Sequence, residues 1–216
     1  MAELRPVALP PAERTIGQLV AESIRFYGEH FWGCMALGLA PATLAVVGAN
    51  VPRTIAVVLS PTLFGALLSA TFVGASVVVL DQRPARSCLV VAWLAGWLVF
   101  APVPFLVLAF VLPAVAWLAA LGLVVPVLVV EGLPVRGAFA RAWRLARADY
   151  VHAFGSLFTL AVVVFLTQAV LAFILRGFGG AGVSVAFFLA STVVSPLLFV
   201  GAALLYVDQA ARAAVE

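Results

Sequence analysis

Apolar and polar positions in this chain separate into long blocks, not into the short alternations of a soluble domain. Five stretches carry no Asp, Glu, Lys or Arg: 31–51, 54–80, 87–130, 151–175 and 177–207. A helix of about 20 apolar residues crosses roughly 30 Å of hydrocarbon, so four of these blocks each hold one crossing. The third, at 87–130, is too long for one crossing and reads as a hairpin of two helices. Its turn is expected between Pro102 and Pro113, nearer Pro113. Six spans result.

Two segments between the blocks have a different period. From Thr15 onward, Ile16, Leu19, Val20, Ile24, Tyr27 and Phe31 fall on one helical face, and Arg14, Gln18, Glu22, Arg25 and Glu29 on the other. Thr15 and Gln18 have the spacing of a capping box, in which side chains and backbone N–H groups satisfy each other reciprocally. Before the fifth span, Val135, Phe139, Ala142, Trp143, Ala146 and Tyr150 form an apolar stripe beside Arg136, Arg141, Arg144 and Arg147. Both segments read as amphipathic helices lying at the membrane interface. Residues 1–14, with Pro6, Pro10 and Pro11, read as a short disordered arm.

The order of elements repeats. Residues 72–82 and 199–209 match at six of eleven positions, each copy opening with Phe-Val-Gly-Ala and closing with Asp-Gln. The preceding amphipathic helices also align, Arg25 falling on Arg144. The expected architecture is an all-α integral membrane protein of six transmembrane helices and two cytoplasmic-interface amphipathic helices. Within the membrane domain, 15–216, the units are 15–86, an inserted hairpin over 87–131, and 132–216. Four crossings separate equivalent spans, so the copies form a parallel pseudo-repeat about an axis along the membrane normal.

Composition agrees with the pattern. Hydrophobic residues make up 65% of the chain and charged ones only 10%, where a soluble domain has about a quarter charged. All basic residues are Arg, and with both termini on one side only Arg53 and Arg176 fall on the opposite one. That asymmetry places both termini in the cytoplasm. The net charge of +3 therefore concerns a membrane surface. Nucleic-acid binding would need a basic, aromatic-studded soluble face, and none is present. Lys-free, Ala- and Val-rich usage points to a GC-rich bacterial genome.

Candidate chemistry is sparse. Asp81 and Asp208 are repeated acids at helix ends, read either as a gating pair or as locally paired boundary residues. The local reading pairs Asp208 with Arg212 and Asp81 with Arg83 or Arg86. Glu131 is expected to pair with Arg136 or an N-terminal arginine, and Gly132 to terminate the helix before it. His30 and His152 hold matching junctions, but no further ligands stand at metal spacing. Cys34 and Cys88 read as small apolar fillers, and Gly177 to Gly182 as a flexible outer loop. Inside the spans the polar exceptions are Ser69, Thr71, Ser76, Thr167, Gln168, Ser191, Thr192 and Ser195, with Gln168 expected to bond to a neighbouring helix. The lack of intramembrane charge argues against an ion-coupled carrier. No nucleophile–base–orienter set assembles, so no catalytic residue, metal or cofactor is expected. The candidate site is the basic helix: Arg136, Arg141, Arg144 and Arg147 with Trp143, suited to anionic lipid headgroups at about 1 kcal/mol per residue.

Three stretches carry a family resemblance: Arg14-Thr-Ile-Gly-Gln-Leu with Ile24-Arg-Phe-Tyr and Phe31-Trp32, then Pro126-Val-Leu-Val-Val-Glu131-Gly132, then Ala140-Arg-Ala-Trp143-Arg144-Leu145. They resemble the glycerophosphoryl diester phosphodiesterase membrane domain family of multi-pass bacterial proteins. The resemblance implies a six-span inner-membrane protein and carries over no catalytic residues, since the family's name reflects fusion to an enzyme barrel that is missing here. The expectation is a non-enzymatic component contacting lipid, a membrane-protein partner or a second copy of itself. The alternative is a transporter or permease subunit with a cavity between the pseudo-repeats, lined by Gln168, Thr167 and Thr71.

Overall fold

The computed structural model describes residues 10–175 and 179–215, and its regular structure there is helical throughout, with no strand among the described residues. Six stretches are long and apolar enough to cross a membrane: Phe31–Gly48, Val57–Val79, Arg86–Ala109, Val111–Glu131, Tyr150–Ile174 and Phe187–Arg212. The protein is an all-α membrane protein of six candidate spans.

Helix α1 (Ile16–Glu29) begins at the expected capping box. Gln18 N donates to Thr15 Oγ1 at 3.4 Å, and Thr15 N donates to Gln18 Oε1 at 2.8 Å. Its buried residues are Leu19 and Ser23, while Ile24 is 52% exposed. Of the predicted apolar stripe, Leu19 turns into the protein and Ile24 turns outward.

The spans are broken where proline dictates. A proline lacks the N–H that would bond four residues back, and its ring crowds that carbonyl. Accordingly α2 (Phe31–Leu37) and α3 (Leu39–Asn50) part at Gly38, three residues before Pro41. Span two runs from α4 (Arg53–Leu59) through a π turn at Ser60–Phe64, which holds Pro61, into α5 (Gly65–Val79). The long block divides into α6 (Arg86–Phe100), α7 (Val103–Ala109), α8 (Val111–Leu121) and α9 (Val124–Glu131). Its reversal falls at Phe110, extended at φ −172°, within the predicted window and three residues before Pro113. The α8–α9 break precedes Pro126. After α10 (Val135–Ala148) and α11 (Tyr150–Leu175), α12 (Gly179–Val194) and α13 (Pro196–Arg212) part just before Pro196.

Helix α13 holds the centre, packed against α1, α5 and α11. Phe72 and Phe199, which occupy equivalent places in the repeated motif, meet there with ring centroids 6.3 Å apart. The inserted hairpin is integral to the core: α6 lies along α5, and α9 is buried from Val124 to Val129. Indoles tie the hairpin in, Trp93 Nε1 donating to Ala66 O at 2.8 Å and Trp97 Nε1 to Pro61 O at 2.7 Å. At Gly38 a Cβ would run into the backbone of Thr192, so only glycine lets α12 approach this closely.

The arm expected over 1–14 takes structure at its end: Pro11–Glu13 forms one helical turn that packs on α13. Its residues 1–9 lie outside the described residues. So does Arg176, and the side chain of Arg53 is likewise not described. The glycines from 179 belong to α12 rather than to a loop.

Candidate functional site

Helix α10 starts after Gly132, whose φ of 60° and ψ of 23° make it the left-handed terminator of α9. Small and aliphatic residues form its inner face, with Ala138, Ala142, Leu145 and Ala146 buried. The apolar stripe predicted to lie at the membrane interface includes Trp143 and Val135. Both are 43% exposed, and buried Leu145 had been left out. Arg136, Arg144 and Arg147 are exposed beside Trp143, and the Arg147 guanidinium lies 5.0 Å from the Trp143 ring centroid. Arg141 is turned inward, its Nε 3.2 Å from Glu131 Oε1, and Tyr206 Oη donates to the same oxygen at 3.0 Å. Glu131 thus pairs with Arg141 instead of Arg136. What remains outside is a cationic and aromatic arc on a helix anchored by its opposite face.

A second polar feature joins the two ends of the chain. Asp208 is fully buried and binds Arg14, with Nη1 to Oδ1 at 3.1 Å. Arg212, its expected partner, instead pairs with Asp149 at 2.7 Å and donates to Arg14 O at 2.6 Å. Asp149 caps α11, its Oδ1 accepting from His152 N at 2.9 Å, and its backbone oxygen accepts from Gln209 Nε2 at 3.0 Å. His152 stands between these groups, Nε2 3.7 Å from Asp208 Oδ2 and Nδ1 3.5 Å from Arg212 Nη2. Both ring nitrogens face charged groups. Ser156, one turn further along α11, has a buried hydroxyl with no hydrogen-bond partner among the described residues. Two arginines therefore offset two carboxylates around a histidine, an arrangement that staples elements together. An open cleft of ≈ 570 Å³ lies outside it, bordered by Arg14, Thr15, Asp149, His152 and Arg212.

The repeated aspartates end in opposite surroundings. Asp81 is exposed at φ 46°, beyond the end of α5, and makes no ion pair among the described residues. The paired histidines diverge too: His30 is exposed and stacked on Phe26 at 4.4 Å. Among the described residues no three His, Cys, Asp or Glu side chains converge on a metal position. Cys34 is a buried free thiol, and Cys88 Sγ lies 3.2 Å from Leu128 O.

The polar side chains predicted inside the spans are taken up by helix backbones and neighbouring helices. Ser69 Oγ donates to Trp93 O at 2.7 Å, while Thr71, Ser76 and Thr167 each donate to the carbonyl one turn back. Gln168 reaches Ser191 on α12 at 3.5 Å, as expected of an amide facing a neighbouring helix. Between α5, α8, α11 and α13 lies a cavity of ≈ 70 Å³ with wholly apolar walls, among them Phe72, Phe199, Leu118 and Leu157. Gln168, Thr167 and Thr71 do not border it.

One pairing escaped the sequence reading. The Arg14–Asp208 pair spans 194 positions, and no local pattern connects such partners. The one available signal was Arg14 standing immediately before the capping box. No protein-family model, curated protein or solved structure matches this chain.

Proposed function

We propose that this chain is a non-enzymatic component of a bacterial inner membrane whose α10 surface holds anionic lipid headgroups at the cytoplasmic face. One observation carries the reading: Arg136, Arg144 and Arg147 stay exposed around a half-exposed Trp143 on a helix whose other face is buried. Each exposed arginine near an anionic surface contributes about 1 kcal/mol, and an indole suits the level where headgroups meet hydrocarbon. Arg141 belongs to the fold through Glu131 and drops out of the contact set. The family resemblance and the arginine asymmetry support the same localisation, with both termini cytoplasmic.

The transporter reading called for a polar cavity between the repeats, and the cavity found there is small and apolar. The buried cluster around His152 links the N-terminal turn, the start of α11 and the end of α13 through the Arg14–Asp208 and Arg212–Asp149 pairs, which favours a structural role.

Recovery of lipid by native mass spectrometry tests the proposal. Protein purified with its lipid is expected to retain anionic phospholipid, and the triple variant R136Q/R144Q/R147Q to lose most of it. An R141Q control is expected to lower stability while keeping the lipid. Equal recovery from wild type and triple variant would reject the contact.

A further inference from the structure

We infer that the apolar cavity between α8, α11 and α13 is a slot for the end of a phospholipid acyl chain, a conclusion that rests on the lipid-contact reading of α10. The walls are apolar throughout. Phe72, Phe100 and Phe199 close the inner end, and no polar side chain lines any part of it. The outer rim is built from small or half-exposed residues: Gly122 just past the end of α8, Ala161 on α11 and Ala202 on α13. In a six-span protein the medium meeting such a rim is hydrocarbon, because the spans are surrounded by lipid tails. An apolar cavity of this kind stays free of water and takes apolar guests.

The sequence of α11 connects the slot to the basic helix. Tyr150, Phe154 and Phe158 recur at four-residue spacing, with ring centroids 6.3 and 6.0 Å apart. Residues three and four apart share a helix face, so Leu157 and Ala161 of the slot lie on the same stripe as this aromatic ladder. Tyr150 Oη donates to Ala116 O, which sets the ladder against α8. The ladder starts three residues after Arg147, whose guanidinium covers Trp143. A lipid held by its headgroup at Arg144 and Arg147 thus finds a continuous aromatic and aliphatic track leading to the slot. The occupant that fits both ends is an anionic phospholipid.

The test uses the full chain reconstituted with phosphatidylglycerol carrying a diazirine at the acyl terminus, and in parallel with the matching phosphatidylcholine. After irradiation, peptide mapping is expected to place adducts on slot residues such as Leu118, Ala161 and Leu198. Ala202→Phe fills the slot and is expected to cut that labelling roughly tenfold, the equivalent of about two buried methylene groups. Ala161→Phe fills it from another helix, so misfolding of one variant leaves the other to decide. Adducts confined to outward residues such as Phe165 and Val170, or labelling untouched by either filling variant, would overturn the slot. Equal slot labelling by both lipids would support the slot while removing headgroup selection by α10, so the two ideas fail separately.

Discussion

Asp81 and Asp208 occupy the same place in two copies of one motif, yet one is solvated and the other is sealed against Arg14 and His152. Burial decides what each is worth. Removing one partner of a buried pair strands the other charge, at a cost of about 3 kcal/mol, whereas changing an exposed polar residue shifts stability by about 0.5 kcal/mol or less. Asp208→Asn is therefore expected to lower the detergent-solubilised Tm clearly, and Asp81→Asn to leave it nearly unchanged. Equal Tm shifts would contradict the asymmetry. The motif was readable in the sequence; the divergence of its aspartates was not. Asp208 continues inside α13 and meets a residue from the other end of the chain, whereas Asp81 lies past the end of its helix.

Helix boundaries were far more legible than helix faces. Charge-free blocks located all six spans, and prolines account for the breaks that split them into shorter helices. Gly132 terminates α9 in a left-handed conformation, so Gly132→Ala is expected to cost about 1 kcal/mol, read as a lower unfolding midpoint. Thr15→Ala removes the cap on α1 and is expected to cost about the same. A midpoint unchanged by either substitution would refute the corresponding terminator. Periodicity groups Ile24, Val135 and Trp143 with the apolar stripes but does not say which part of a stripe meets protein and which meets the bilayer. Beside a bilayer, large apolar and aromatic side chains are as stable outside as in, so the inner face falls to Leu19 and Ser23, or to the alanines and Leu145.

The whole molecule closes on itself through charge. The N-terminal turn, the start of α11 and the end of α13 meet in one cluster, which brings the two ends of the described chain to one end of the bundle. Reporters fused to the two termini are accordingly expected to report the same side of the membrane, and opposite sides would break the six-span account. Phe72 and Phe199 meet between α5 and α13, and the hairpin of α6 to α9 fills the core beside them. That leaves α10 presenting exposed cations. We propose that lipid headgroups cover them, and Ala140, exposed among Arg136, Arg144 and Arg147, is the position that reports it. A photo-crosslinking residue at position 140, irradiated in native membranes, is predicted to gain the mass of an anionic phospholipid. Capture of a protein, or no lipid adduct at all, would contradict the account.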